Sequence, residues 1–559
     1  MLLIILTWIY ISIISFIVGN AFLSFMLKGE TFKVKKTPYV IITGLMVLMV
    51  YAEGFSLVYK VGLLANIVLL AITALLAVLT RKSLLLRLED MVKNVTPVRA
   101  IIFTVLVIVF AYGTSKGYMH YDTDLYHAQS IRWIEEYGVV PGLGNLHSRL
   151  AYNSGAFCLQ ALFSFAFISG RSLHTCAGYL ALVVSFITGD MFTKENFKSI
   201  SLKCIPRIVT IYYLINIYDE MVSPASDYYI ALLVLTIAMA VTDLVVDGVN
   251  DYAPYALLSL LGLMVLSVKI SGSFVILIVI YPAYVLIRSK AFKTIAKYII
   301  TGIISVLPFF LRNIILSGYL IYPLPSIDLF NFDYKIPKVM AQYDADEIEV
   351  FGRGHSDVTR INEGLMDWLP DWVHSLDAVN RICFYAAVLS IVVFVFYVVY
   401  IFIKKRYDRL KILLVEAVFE LCFVVWIFTA PNIRYGCIFL YLAPAITLGQ
   451  FYMEFISRFD KGIALKAFAV LFLVYKCFAW GSETVKNFST EYLLVQQDYG
   501  EYDLTAYDLN GYTFYYPEEG DQTGYYLFPA SPVKAEDIMR GSEIKDGFKD
   551  VIHQEGYMQ

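Results

Sequence analysis

The sequence predicts an all-α protein that crosses a membrane many times, and three observations support this prediction. Of the 559 residues, 59% are hydrophobic and only 16% are charged, and the mean hydropathy is +0.65. Soluble proteins carry roughly a quarter charged residues. Apolar stretches of about 20 residues recur along the chain, and each is long enough to cross about 30 Å of hydrocarbon. Lysine and arginine are concentrated in short segments between these stretches, as is typical of cytoplasmic loops.

The order of these segments predicts how the chain is threaded. The first apolar stretch, residues 1–25, lacks a basic leader and a clear cleavage site, so we expect a retained first helix rather than a signal peptide. The basic segments that we place in the cytoplasm are residues 28–36, 81–99, 194–207, 288–297, 404–411 and 458–466. Pairing the apolar stretches between them predicts about fourteen transmembrane helices, with both termini outside. Residues 156–168 are too short for this scheme, and we expect an interfacial or re-entrant helix there.

The predicted threading divides the chain into four regions. Residues 1–113 form the first transmembrane helices, and residues 114–172 form the first large outer loop with an interfacial helix lying along the membrane surface. Residues 173–480 contain the remaining transmembrane helices and a second outer loop, residues 317–381. Residues 481–559 are rich in tyrosine and too aromatic for a disordered tail, so we expect a small extracytoplasmic domain.

A polar stretch with two aspartates and a histidine follows directly on the apolar segment 101–112. Ionisable side chains are costly where a helix leaves the bilayer and usually have a function there. Asp122 and Asp124 share a face of an extended segment, and either suits a general base that deprotonates an acceptor hydroxyl. An N-cap with a solvated charge is the alternative for one of them. The pair also suits Mg²⁺ or Mn²⁺, although a metal-free base fits these residues equally well.

Several cations are predicted to lie on the same outer face. Lys269 lies between two apolar segments, where it suits a phosphate group, although a lysine there can also snorkel to the interface. Arg434 follows a short turn at the outer end of a span, and a guanidinium fork suits a phosphate or diphosphate leaving group. Its alternative role is an interface anchor. Arg312 and Arg149 are further candidates for binding the phosphate.

The remaining candidates are substrate contacts on this face. They are Tyr121, Tyr126, His127, His147, Asn153, Asp227, Trp368 and Trp372. Asp227 also fits a helix cap, and the two tryptophans also fit an aromatic belt at the interface. No rule about charge was used to place these residues, so their common side is evidence for a shared site. The chain lacks a P-loop, a dinucleotide-binding motif and a basic domain, so we expect neither nucleotide nor nucleic acid as a partner.

Four stretches of this sequence resemble the GT-C superfamily of membrane glycosyltransferases, and a bacterial branch of it most closely. They are residues 121–134, 140–149, 311–323 and 431–435. The resemblance implies a multi-pass protein of the cytoplasmic membrane that transfers a sugar, with inversion, from a polyprenyl phosphate or diphosphate donor to a glycan or lipid acceptor. It also implies an acidic base or metal ligand on the first outer loop, a position that Asp122 matches best and Asp124 second.

The chain also departs from that superfamily. Its acidic loop follows about the fourth span rather than the first, and the WWDYG signature of oligosaccharyltransferases is absent, which disfavours transfer to protein asparagine. Two other functions in surface polysaccharide biosynthesis fit a chain of this kind. A flippase for lipid-linked oligosaccharide would place charges in a midplane cavity, and a polysaccharide polymerase would rely on arginines in large outer loops. The predicted grouping of charges at one face favours the transferase.

Overall fold

The computed structural model describes residues 1–192, 201–457 and 463–549, and it confirms the predicted all-helical membrane class. Ten helices in the described part are long and apolar enough to cross a membrane. The helices of the first half are α1 (Leu2–Met26), α2 (Thr37–Ser56), α3 (Leu63–Leu79), α4 (Arg81–Lys93), α5 (Pro97–Ser115), α6 (Ala128–Glu136), α7 (Gly155–Leu162), α8 (Ala166–Ser169), α9 (Cys176–Thr188), α10 (Cys204–Asn216), α11 (Ser226–Val246) and α12 (Tyr252–Val268).

The second half continues the bundle and ends in the only β-structure of the described residues. Its helices are α13 (Ile280–Arg288), α14 (Phe292–Ser317), α15 (Lys338–Gly352), α16 (Leu365–Ser375), α17 (Ala378–Ile403), α18 (Leu410–Thr429), α19 (Ile433–Phe451) and α20 (Ile463–Lys486). Two π-helical turns (Thr123–His127 and Tyr452–Ile456) and a 3₁₀ segment (Ile270–Val279) interrupt the α-helices. The strands β1 (Thr505–Leu509) and β2 (Tyr512–Tyr516) form an antiparallel hairpin.

The number of helices that are long enough to cross is lower than the predicted fourteen. Helices α3 and α4 are together long and apolar enough for one span, but they are bent by 86° relative to each other. Three further apolar helices, α9, α10 and α12, have only 13 to 17 residues. Fourteen crossings are reached only if the bent pair and these three helices also cross. Residues 156–168 fall largely in α7 and α8, of which α7 has 8 residues and is buried within the protein, so by its length it does not cross.

The predicted cytoplasmic segments meet at one end of the bundle. Arg207 donates two hydrogen bonds of 2.8 Å to the carboxylate of Asp243, and Lys36 lies 3.5 Å from the same carboxylate. Lys411 donates to the carbonyl of Val249 at 2.8 Å. Three basic segments that are distant in the chain therefore share one end, which we call the basic end. Parts of the predicted segments 194–207 and 458–466 lie outside the described residues.

The C-terminal residues 487–549 fold against the first outer loop. The hairpin turns at Asn510 and Gly511, which both have positive φ as tight hairpin turns require. Leu509 and Phe514 of the hairpin share a buried cluster with Trp133 of α6. We predicted that the helix around residues 124–137 would lie along the membrane surface. In the structure the tail packs on this helix, and Arg132 donates to the carbonyls of Tyr525 and Tyr526.

The first two helices pack closely at two glycines. A Cβ added to Gly44 would lie 1.8 Å from the carbonyl oxygen of Ser15, and one added to Gly19 would lie 2.0 Å from that of Val40. Helices in membranes associate through such small residues, which allow the backbones to approach.

We expect Gly44→Val to destabilise the protein strongly. Overpacking costs about 1–3 kcal/mol where side chains can adjust, and here the added methyl groups meet a backbone carbonyl that cannot move aside. The measurement is thermal unfolding of the detergent-solubilised chain, followed by tryptophan fluorescence. Gly481→Ala is the control, because a Cβ there meets nothing within 4 Å. Equal midpoints for the two variants would contradict this packing.

Candidate functional site

Four charged residues from distant parts of the chain meet at the end of the bundle opposite the basic end. The guanidinium of Arg434 donates from Nη2 to Oδ2 of Asp122 at 2.7 Å, and its Nε lies 3.4 Å from Oδ2 of Asp227. The ammonium group of Lys269 donates to Oδ1 of Asp227. We call Asp122, Asp227, Lys269 and Arg434 the ion cluster. All four were predicted site residues, so the structure brings these predictions together.

Each member is placed by the end of a helix. Asp227 and Arg434 lie in the first turns of α11 and α19, and a carboxylate is favoured at a helix N-terminus by the partial positive charge there. Lys269 is an extended residue between α12 and the 3₁₀ segment. Asp122 has helical backbone angles and directly precedes the π-helical turn Thr123–His127. The cluster therefore lies where several helices begin or end.

The loop that carries Asp122 is fixed to the turn before α11. The amide of Tyr118 donates to the carbonyl of Asp219 at 2.6 Å, and the hydroxyls of Thr123 and Ser223 are 2.9 Å apart. Gly117 allows this contact, because a Cβ there would lie 1.8 Å from the carbonyl oxygen of Asp219. These contacts hold Asp122 beside the start of α11 and hence beside Asp227.

The position of Arg434 is fixed by the turn before it. Asn432 caps α19 by accepting a hydrogen bond from the amide of Arg434 at 3.0 Å. The indole of Trp372 donates to the carbonyl of Pro431 at 2.8 Å, and that of Trp426 to the carbonyl of Asn432 at 3.2 Å. Two buried indoles therefore hold the backbone that directs the guanidinium into the cluster.

A tyrosine and a histidine complete the cluster. The ring of Tyr435 lies 4.0 Å from the ammonium nitrogen of Lys269 and 5.0 Å from the guanidinium carbon of Arg434, distances at which a cation is attracted to an aromatic face. His120 contacts Nη1 of Arg434 at 2.6 Å through Nδ1. Burial and the charge of Arg434 lower the pKa of His120, so its ring is neutral at pH 7. Neither residue was among the predicted site residues, although Tyr435 lies in the stretch 431–435 that resembles the GT-C superfamily and His120 directly precedes Tyr121.

The ion cluster keeps Asp122 ionised. Burial alone would raise the pKa of this carboxyl, but the charge of Arg434 and the hydrogen bond that it donates outweigh burial and hold the pKa below its ordinary value of 3.8. The side chain is 16% exposed and so remains partly accessible. Two carboxylates and two cations balance, so an anion binds well here only if one cation is released from its carboxylate.

Asp124 lies outside the ion cluster and holds the tail instead. Its Oδ2 accepts a hydrogen bond from the hydroxyl of Tyr502 at 2.9 Å, and its carbonyl accepts from the amides of Thr523 and Gly524 at 2.8 Å. The sequence left two arrangements open for this pair, a shared face of an extended segment or the start of a helix, and the structure has the helical one. Residues that are two apart on a helix point to different sides. The carboxylates of Asp122 and Asp124 therefore do not form the paired site for Mg²⁺ or Mn²⁺ that we considered. Among the described residues, no group of three or more histidines, cysteines or acidic residues is arranged to hold a metal.

The other two predicted phosphate-binding arginines belong to a neighbouring layer. Arg312 is buried and donates from Nε to Oδ1 of Asn153 at 3.0 Å and from Nη1 to the hydroxyl of Ser56 at 2.5 Å. Arg149 lies 3.7 Å from the carboxylate of Glu347. It is also close enough to Asp122 for the two charges to attract each other. Arg149 therefore borders the ion cluster, whereas Arg312 supports the loop at Asn153.

The predicted aromatic and histidine contacts divide into a buried set and a surface residue. Tyr126 and His127 are in contact, with ring centroids 4.4 Å apart. Burial lowers the pKa of both His127 and His147 to about 3, so both rings are neutral. Tyr121 is exposed and donates to Asp521 of the tail.

A carboxyl that we did not predict lies beyond Tyr126. The rings of Tyr126 and Tyr152 are 5.7 Å apart, and the hydroxyl of Tyr152 donates to Oδ1 of Asp344 at 2.7 Å. Burial raises the pKa of Asp344 to about 6. Asp344 lies in α15 within a long loop, and nothing in the local sequence distinguishes it from the acidic residues around it.

A cavity of about 280 Å³ opens at the start of α19. It is lined by Phe351, Gly352, Gly354, Trp372, Ser375, Leu376, Asp377, Asn380, Asn432 and Ile433. This size is near the lower limit for small-molecule pockets in proteins. The two tryptophans that we predicted as substrate contacts, Trp368 and Trp372, are buried, and Trp372 forms part of the cavity wall.

We expect Asp227→Asn to destabilise the protein. Removing one partner of a buried ion pair costs about 3–5 kcal/mol, because the other charge is left without compensation, and the Asp227 side chain is only 6% exposed. The measurement is the thermal unfolding midpoint in detergent. Asp408→Asn is the matched control, since its side chain is 60% exposed in a similar ion pair. Adding Lys269→Met to Asp227→Asn should restore part of the lost stability, and an unchanged midpoint in Asp227→Asn would contradict the ion pair.

Comparisons with known proteins identify the family of this chain. No curated protein and no solved structure matches this chain significantly. A family model described as a domain of unknown function, DUF8201, matches residues 1–441. The matched region contains the whole ion cluster and ends before the tail. Because the match covers most of the chain, the protein belongs to the DUF8201 family.

Proposed function

We propose that this protein is an integral membrane glycosyltransferase of GT-C type. It moves a sugar from a polyprenyl phosphate or diphosphate to a glycan or lipid acceptor, in surface polysaccharide biosynthesis. The observation that carries the proposal is the ion cluster, in which Asp122 lies 2.7 Å from Arg434. The sequence offered two aspartates as candidates for the base and four cations as candidates for binding the phosphate. The fold gathers one of these aspartates, Asp122, with two of these cations, Lys269 and Arg434.

The proposed chemistry uses the coupling between Asp122 and Arg434. Asp122 takes the proton of the acceptor hydroxyl, whose oxygen attacks the anomeric carbon while the bond to the phosphate oxygen breaks on the opposite face, with inversion. Protonation removes the charge of Asp122 and so releases the guanidinium of Arg434. At that moment negative charge develops on the departing phosphate, and Arg434 and Lys269 stabilise it. Asp227 keeps the two cations in place throughout.

The proposed location follows from the two ends of the bundle. Basic loops remain in the cytoplasm, so the basic end is cytoplasmic and the ion cluster faces outward. Nucleotide sugars are absent there, which favours a lipid-linked donor whose chain lies among the helices. In this topology all fourteen predicted helices cross, with α3 and the short helices α9, α10 and α12 included, and the membrane is the cytoplasmic one.

A second candidate, a flippase for lipid-linked oligosaccharide, is supported by a specific observation. Glu53 in α2 and Glu416 in α18 are buried within predicted spans, and neither carboxyl has a hydrogen-bond partner. Ionisable groups inside a membrane are typical of transport pathways. The two candidates predict different accumulated products, which a cellular experiment distinguishes.

We expect a strain without this protein to lack one sugar of its surface glycan. The variants Asp122→Asn and Arg434→Gln should fail to restore it when expressed at wild-type level, whereas Asp124→Asn should restore it, because its carboxyl holds the tail rather than the cluster. The measurement is the glycan profile together with the lipid-linked intermediates. Complete repeat units trapped inside the cell would instead indicate a flippase, and exported but unpolymerised units a polymerase.

In a purified system we expect Asp122→Asn to lower kcat by about 10²–10⁴-fold, the usual contribution of a general base. Arg434→Gln should shift the acid limb of the kcat/KM profile to higher pH. The reason is that Arg434 holds the pKa of Asp122 low, so its removal raises that pKa and the base form is lost at a higher pH. An acid limb that stays in place would separate Asp122 from the chemistry.

A further inference from the structure

A second group of ionisable side chains lies in the helices toward the basic end. Glu416 and Glu420 are one turn apart in α18, and Glu454 lies in the π-helical turn Tyr452–Ile456 that extends α19. All three residues are buried, and Glu416 is only 1% exposed. We call them the glutamate triad. They take no part in the ion cluster, which lies at the other end of the same two helices.

The three carboxyls differ in their partners. Glu454 accepts hydrogen bonds at Oε2 from the hydroxyl of Tyr397 at 2.9 Å and from Nε2 of Gln450 at 3.0 Å. Glu420 accepts one at Oε1 from the hydroxyl of Thr447 at 2.6 Å. Glu416 accepts none at either oxygen. Glu420 and Glu454 are close enough for their charges to act on Glu416.

Few positive charges are available to compensate three carboxylates. Arg406 and Arg409 each lie 3.6 Å from Glu454, and both also contact the carboxylate of Asp408. Lys411 at the start of α18 donates to the carbonyl of Val249 and to Oδ1 of Asn250. Tyr397 and Tyr400 on α17 and Asp243 on α11 are the titratable groups that these two helices carry near the basic end. Asp243 is already paired with Arg207, and the 3₁₀ segment Ile270–Val279, which packs on α18, carries none. The triad therefore holds more acidic groups than nearby cations can neutralise.

An unpaired carboxylate in a protein interior or a membrane costs several kcal/mol, so such a group binds a proton instead. No group of three or more acidic, histidine or cysteine side chains in the described residues is arranged to hold a metal. We propose that the glutamate triad is a proton-binding site in which Glu416 carries the proton and Glu454 exchanges it with the solvent beside Arg406 and Arg409. In the exchange a proton moves from the Glu416 carboxyl to the Glu454 carboxylate and from there to water.

The placement of Glu454 supports exchange rather than a static role. Single π-helical turns inside α-helices occur frequently at functional sites, and this one presents Glu454 between the buried part of the triad and the arginines at the basic end. Arg434 of the ion cluster begins the same helix about 30 Å away, at 1.5 Å per residue. The proposal does not depend on the transferase function, because it concerns only the binding of a proton.

Labelling with dicyclohexylcarbodiimide tests the proposal, since this apolar reagent reacts with protonated carboxyls in apolar surroundings. The full chain is labelled in lipid nanodiscs between pH 6 and 9, and modified peptides are identified by mass spectrometry. An ordinary glutamate, with a pKa of about 4.3, is less than about 1% protonated at pH 7. We expect Glu416 to be labelled at pH 7 and to lose its label as the pH rises, and the exposed Asp408 to stay unlabelled.

Variants and a second readout make the test decisive. Glu420→Gln removes a neighbouring negative charge, so the midpoint for loss of the Glu416 label should move to lower pH. Infrared difference spectra between pH 6 and 9 should show a protonated carboxyl band that Glu416→Gln removes, provided that the variant elutes as a folded monodisperse protein. Absence of both the label and the band would overturn the proposal. Protection of Glu416 by Na⁺ at constant pH would also overturn it and would assign a metal cation to the site.

Discussion

The ion pair between Arg434 and Asp122 is the contact on which the rest of the site depends. Asp122 follows α5, Asp227 begins α11 and Arg434 begins α19, so one guanidinium ties together three segments that lie more than a hundred residues apart. The charges balance, which makes the arrangement stable in the absence of substrate. The same balance makes it sensitive, because a change in the charge of one carboxylate alters what the guanidinium can bind.

Much of this site could be predicted because membrane topology is a strong constraint. Once basic loops are assigned to one side, Lys269 and Arg434 fall at the same level as Asp122 and Asp227, and ionisable residues at that level have few other partners. Their meeting therefore required no knowledge of the tertiary fold. The supporting residues could not be found in this way. Asn432 and Trp426 act through backbone hydrogen bonds, and these depend on the path of a turn that hydropathy does not describe.

The errors have equally local causes. Asp124 was grouped with Asp122 because residues two apart share a face when the chain is extended, but the segment forms a π-helical turn and the two carboxylates diverge. The tail then provides Tyr502 as a partner, a contact between residues too distant in the chain for any pattern to reveal. In contrast, the bend of 86° between α3 and α4 lies where the predicted basic segment 81–99 begins.

The contacts of the tail have a consequence for the order in which the protein is made. Tyr502 meets Asp124 across 378 residues of sequence. At a synthesis rate of about 5–20 residues per second, roughly 20 to 75 s separate the emergence of these two partners from the ribosome. During that interval the acidic loop is without its cover, and α6 exposes Trp133 and its apolar neighbours. A membrane chaperone or the insertion machinery itself would have to shield that surface, and the loop reaches its final form only after the last helix has been inserted.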